Sequence, residues 1–193
     1  MKFSIISENY QVSSTNFTCV DNREPLYSKA DYEPTSSAEP IVWEATDGSM
    51  KGVGNIADNG DLCVSKEFAE LVMSFDPFGI ECYPAELRLQ DGVLKDRYLL
   101  ALNNVIDVID VIDESKSRTR KSPKRNKILI MDLYLSEEKL LNTPFNKRVL
   151  FRVKGAETAT IFCDEIYDLA KKSSLFEDLR MFKLDCDQEV PKY

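Results

Sequence analysis

The chain carries one local pattern twice, and that repetition limits the folds open to it. TIFCDEIYDLAKKS (residues 160–173) aligns without gaps on LCVSKEFAELVMSF (residues 62–75), 98 residues earlier. In the first copy, Leu62-Cys63-Val64 reads as a short strand. Ser65 offers its hydroxyl to the free N–H groups of a helical first turn. Phe68, Leu71 and Val72 then fall at i, i+3 and i+4, the spacing of one helical face. Pro77 and Gly79 stop that helix. Ile80 to Tyr83 alternates as a strand, which Pro84 is expected to end. In the second copy Ile166, Leu169 and Ala170 take the helical-face positions, and Glu165 matches Glu67. One inserted residue later, Leu179, Met181 and Phe182 match Ile80, Cys82 and Tyr83. Two units are too few for a solenoid. Chance likeness of two amphipathic helices is the alternative to a duplicated or pseudo-symmetric α+β core.

Further strands are expected around the two copies. Residues 3–6 (FSII) can open the chain as a strand. Pro25, Pro34 and Pro40 make an extended, broken segment of the stretch before the next strand. Ile41 to Glu44 reads as a short strand. Thr46 to Gly60 holds four of the seven glycines and reads as turns. Tyr98 to Leu102, Lys127 to Leu135 and Arg148 to Val153 are three more apolar runs. Ser136 followed by EEKLL suggests a short helical turn stopped before Pro144, and Gly155 a tight turn into the second copy. Strands outnumber helices, and connections are short. The expectation is an antiparallel or mixed sheet with two main helices. Residues 1–40 read as an N-terminal strand and extended segment, and 41–193 as an α+β domain, one compact unit overall.

Between the copies lies NNVIDVIDVIDES, residues 103–115. Its period of three fits neither a strand nor an α-helix. Six β-branched residues in the nine from Val105 to Asp113 favour a strand, bent or bulged near Asn103-Asn104, with Asp110 partly paired to a neighbour. On a strand Asp107 and Asp113 stand roughly 20 Å apart, too far for one metal. The aspartates then read as solvated or turn-bonding acids, or as an acidic patch facing a partner.

Charge is unevenly spread. The net charge is −8, yet residues 116–127 (KSRTRKSPKRNK) hold seven Lys/Arg and no acid. The other 181 residues carry 18 basic and 33 acidic side chains, a net of −15. Such a body repels nucleic acid and anionic membranes and attracts basic protein surfaces, although acidity also serves solubility alone. The basic stretch lacks interleaved aromatics for base stacking and is expected to tip a long hairpin. The five cysteines are odd in number and form no CxxC. Cys63, Cys82 and Cys163 sit among apolar residues, as reduced core cysteines do. The N-terminal apolar run is too short for a signal peptide, and no stretch approaches a membrane span. A cytoplasmic protein is expected.

Catalytic signals are sparse. The chain has no histidine, which removes Ser–His–Asp and Cys–His arrangements and most catalytic zinc sites. It has no GxGxxG and no GxxxxGK[ST]; Gly52-Val53-Gly54 is a lone GxG in a turn-rich stretch. Abundant acids leave a carboxylate-pair hydrolase open, but abundance is a poor signal. No enzyme, metal or cofactor is expected.

Three stretches together resemble a known family. They are DLCVSKEFAEL with its following strand, YLLALNNVIDVIDVIDESKS, and VLFRVKG leading into TIFCDEIYDLAKKS. Asp113-Glu114-Ser115-Lys116-Ser117 is similar to a D–x–E–x–S element of that family. Leu150-Phe151-Arg152 and Cys163-Asp164 are similar to its "iFr" strand and its polar-capped helix. In order and spacing, residues 41–185 resemble the bacterial polymorphic-toxin immunity proteins of family eleven. The resemblance implies a non-enzymatic protein that binds the toxin domain encoded beside it and blocks its active site. Such toxins are often nucleases, whose phosphate-gripping surfaces are basic. An acidic partner gains steered association there. The family transfers no binding residues. Exposed acids and one aromatic are therefore the candidates for partner contact: Tyr32, Glu33, Glu44, Asp47, Asp58, Asp61, Asp107, Asp110, Asp113 and Glu114. An acidic regulatory module without a toxin partner is the alternative reading.

Overall fold

The computed structural model describes residues 1–11, 15–20, 39–58, 61–121 and 128–191. Both copies of the repeat fold as strand–helix–strand. The first is β5 (Leu62–Ser65), α1 (Lys66–Met73) and β6 (Ile80–Leu89); the second is β12 (Ala156–Cys163), α4 (Asp164–Lys172) and β13 (Leu179–Asp185). In neither copy do the two strands pair with each other. A third, antiparallel strand lies between them: β7 (Gly92–Leu102) in the first, and β1 (Lys2–Glu8) in the second.

The register of these central strands shows that the repeat is structural. Leu99 pairs with Cys63 and Tyr83, and Ile5 pairs with Ile161 and Phe182, the residues that align with them. Tyr98 pairs with Val64 and Pro84, and Ser4 with Phe162 and Lys183. The likeness therefore extends beyond two amphipathic helices to a third strand, which directly follows the unit in the first half and comes from the N-terminus in the second.

Each half grows into a mixed sheet. The six-stranded sheet has the order β2 (Phe17–Cys19), β3 (Ile41–Ala45), β6, β7, β5, β4 (Ile56–Asp58), with β3 parallel to β6. The five-stranded sheet has the order β13, β1, β12, β11 (Leu150–Val153), β8 (Val105–Ile106), with β8 parallel to β11. A hairpin of β9 (Arg118–Lys121) and β10 (Ile128–Asp132) makes a separate two-stranded sheet, with Arg118 paired to Asp132. The expected basic hairpin is thus present in its stem; residues 122–127 lie outside the described residues. Two short helices, α2 (Glu137–Asn142) and α3 (Phe145–Arg148), connect β10 to β11.

Strand alternation sends successive side chains to opposite faces. Ile6, Phe162, Cys163 and Ile166 of the second half meet Val64, Phe68, Val72 and Leu100 of the first in one core. The Phe68 and Phe162 rings pack edge-on there, 6.1 Å between centroids. Ile5, Phe151 and Ile161 face the other way, onto Val108, Val111, Leu135 and Leu140. Trp43, Cys63, Tyr83 and Leu99 fill the opposite face of the six-stranded sheet. Burial in this apolar setting pushes the Cys63 thiol up to about 12. No helix among the described residues is long and apolar enough to cross a membrane.

Three local expectations need correction. Pro84 does not end a strand: β6 runs through it to Leu89. Pairing with β3 begins only at Ala85, so β6 is an edge on that side at Pro84, where proline is tolerated. The turn-rich stretch from Thr46 to Gly60 contains β4 and a 3-10 turn at Met50–Gly52. Val105 to Asp113 is not a continuous strand. It is strand only at Val105–Ile106, then turns through a 3-10 helix at Val108–Asp110. The Asp107 carboxylate accepts from the Ile109 N–H at 3.3 Å and caps that turn. A 3-10 helix has three residues per turn, the period of the repeat itself. Local side-chain capping here overrides β-branched propensity.

Candidate partner-binding groove

The chain passes from the six-stranded to the five-stranded sheet through Asn103 and Asn104, between β7 and β8. Asn104 is buried and donates its side-chain N–H groups to the carbonyls of Lys147 and Leu150, both at 2.8 Å. Its own carbonyl accepts from the Arg152 N–H at 2.9 Å. This one side chain therefore fastens the crossover to α3 and β11. Gly79 packs beneath it at φ +66°, and a Cβ there would come within 3.3 Å of the Asn104 nitrogen. The neighbouring Phe78 N–H donates to the Asn146 carbonyl at 3.0 Å.

These ties leave an open groove of about 600 Å³ between the crossover, the 3-10 turn and the α2–α3 corner. Phe78, Val105 and Ile109 line it at 49%, 44% and 56% exposure, three large apolar side chains brought to one concavity. Asp107 and Asp110 line it beside them. Lys139 and Lys147 are also present but engaged. Lys139 donates to the Ile109 carbonyl at 2.8 Å and pairs with Glu114 at 3.3 Å. Lys147 sits over the Phe78 ring, 4.6 Å from its centroid. Asp107 lies 3.8 Å from Lys154.

The candidate acids are distributed over three places. Asp107 and Asp110 line the groove, Glu114 pairs with its Lys139, and Asp113 follows in the chain outside the lining. Asp113 accepts from the Ser115 N–H and hydroxyl at 3.0 and 2.6 Å and pairs with Lys116. The Ser115 hydroxyl holds its carboxyl below the usual range. Asp58 and Asp61 lie between the sheets. The Asp58 N–H donates to buried Glu8 at 2.9 Å, while burial raises the Asp61 carboxyl and lowers the nearby Arg152 guanidinium. Glu44 and Asp47 lie at and beyond the end of β3, Glu44 beside Arg88 at 3.9 Å and Asp47 accepting from the Asn16 N–H at 3.1 Å. Tyr32 and Glu33 lie outside the described residues. Among the described residues, no cluster of cysteine and carboxylate side chains is placed to hold a metal ion.

Sequence reasoning missed the apolar half of the groove. Val105 and Ile109 read only as parts of a strand, and Phe78 lay unremarked between the Pro77 and Gly79 expected to stop a helix.

An open groove offering apolar side chains and carboxylates suits a macromolecular partner better than an enclosed small molecule. The family comparison agrees in kind. The model of the immunity protein family (Imm11) matches residues 44–183, and the chain belongs to that family. The matched span holds the whole groove, whereas β1 lies outside it. No curated protein matches the chain.

Proposed function

We propose that this protein binds and neutralises a cognate antibacterial toxin in the cytoplasm, occluding its active or substrate-binding surface, and that the toxin is a nuclease delivered between competing bacteria. The family membership carries the reading. The acidic body supports the choice of toxin: a net charge of −8, and −15 without the basic stretch, complements a surface built to hold phosphate. The protein acts by binding, without catalysis, and its partner is the toxin rather than nucleic acid or membrane. A carboxylate-rich cover on a nuclease also competes with the phosphates of its substrate.

The test is co-expression with the toxin domain encoded in the neighbouring gene. Cells survive, and the two chains copurify. Failure of both survival and copurification defeats the reading. Association in solution slows as salt rises, because the Debye length falls to about 8 Å at physiological ionic strength; a salt-independent rate removes electrostatic steering. A stable complex with a different protein, and no protection, identifies an acidic regulatory module instead.

A further inference from the structure

We infer that the groove at the β7–β8 crossover is the toxin-docking surface, and that it takes a toxin segment carrying an apolar anchor beside a lysine or arginine. The inference rests on the immunity reading and narrows it to one place and one partner chemistry.

Two independent features of the groove specify that chemistry. Phe78, Val105 and Ile109 keep 49%, 44% and 56% of their surface in water, on the turn before β6, on β8 and on the 3-10 turn. Three such side chains around one concavity form the apolar centre that interfaces bury, with polar groups at the rim. Charge gives the second feature. Among the described residues, no cation lies within ion-pair distance of Asp110, which sits on the exposed side of the 3-10 turn. The groove's own cations are directed elsewhere: Lys139 to the Ile109 carbonyl and Glu114, Lys147 to the Phe78 ring. An incoming lysine or arginine therefore finds an available carboxylate next to an apolar seat.

The walls are held in advance. Asn104 pins the crossover through two 2.8 Å bonds, and Asp107 caps the turn that presents Ile109 and Asp110. A preformed surface loses little conformational freedom on binding, which favours slow dissociation. The acidic residues elsewhere on the body steer the encounter, and the groove holds the complex.

Association and dissociation rates with the neighbouring toxin domain test this, using wild type, Ile109→Ala, Asp110→Asn, Ile109→Arg and Glu70→Lys. Glu70 is exposed on α1, away from the groove lining. Ile109→Ala is expected to raise Kd about 30-fold, through dissociation and at any salt. Asp110→Asn raises it roughly threefold to tenfold, with a smaller salt dependence. Ile109→Arg abolishes binding at micromolar concentration, while Glu70→Lys changes Kd less than about threefold. The three groove substitutions are at exposed positions, and unchanged thermal unfolding verifies that each variant is folded. If wild type binds and protects but the groove variants bind equally well, the docking site is overturned and the immunity reading stands. If wild type neither binds nor protects, both fall. A loss from Glu70→Lys at least as large as that from Asp110→Asn makes binding a matter of net charge and also overturns the groove.

Discussion

The two strand–helix–strand halves reach one topology by different routes. In the first, the central strand β7 follows β6 directly, through a hairpin in which Leu89 faces Gly92. In the second, the central strand β1 comes from the N-terminus and pairs with β12 and β13 near the other end of the chain. The residue contacts are equivalent, but the chain closed to make them differs greatly in length. The first half can form from local contacts, whereas the second must wait for distant segments to meet.

Ile5 and Leu99 are counterparts on the central strands and are almost wholly buried. Truncation of either to alanine is expected to cost about 2–5 kcal/mol in urea unfolding, the range for large aliphatic side chains in cores. Kinetics should separate them. Leu99→Ala is expected to slow folding, because the first half forms early, and Ile5→Ala mainly to speed unfolding. Equal partition between the two rates in both variants would erase the distinction between the halves.

The same difference explains what the sequence disclosed. Local signals placed Ser65, the Phe68–Leu71–Val72 face and the matching helix, because caps and helical periodicity act within a few residues, but of the matching face only Ile166 and Ala170 are buried and Leu169 is 44% exposed. The alignment of Ile80 and Leu179 onto equivalent strands also held. β1 was legible as a strand from Phe3 to Ile6, yet nothing local shows that its neighbours are Ile161 and Phe182. Pro84 and the aspartate repeat misled for opposite reasons. Around Pro84 the absence of a strand on one side decided the outcome, whereas at Asp107 a side-chain cap did. The acids of the groove were visible as residue types. Its apolar centre was not, because exposure of Phe78, Val105 and Ile109 is set by the crossover that Asn104 holds.

The helix starts offer a finer comparison. Ser65 and Cys163 have nearly the same backbone, φ −64° and ψ 158° against φ −65° and ψ 157°. Ser65 accepts from the Phe68 N–H at 3.3 Å, whereas Cys163 makes no side-chain cap bond. Ser65→Ala is expected to lose about 1 kcal/mol. Cys163→Ser should gain about 0.5 kcal/mol, since the hydroxyl can cap the Ile166 N–H but must leave water for a buried site. Its thiol is held up to about 12 by that burial, so the native residue stays neutral. Destabilisation by Cys163→Ser as large as that of Ser65→Ala would show that the second half depends on the thiol's packing.

The smallest expected effect concerns charge on the helix faces. In α1, Lys66 and Glu70 form an i,i+4 pair at 3.9 Å, and in α4 the equivalent positions are both acids, Asp164 and Asp168. Like charges at that spacing repel. Lys183 stands on β13 where the first half has Pro84, and it bridges both acids at 2.9 and 2.7 Å. The hydrogen bond that Lys183 donates to Asp168 holds that carboxyl below the usual range and raises Lys183. A lowered carboxyl stabilises the fold above its unfolded value, about pH 3.9, and that contribution disappears as pH falls through the folded value. The raised lysine contributes below about pH 10.4 and loses its part as pH rises through the folded value. Lys183→Gln should therefore be modestly destabilised at pH 7, and the gap to wild type should narrow on acidification below about pH 4. Urea unfolding at pH 7 and pH 3 measures that gap. A constant gap would mean that Lys183 acts through its contact with the Tyr167 ring, 4.9 Å from the centroid, rather than by separating two carboxylates that the first half never had to place together.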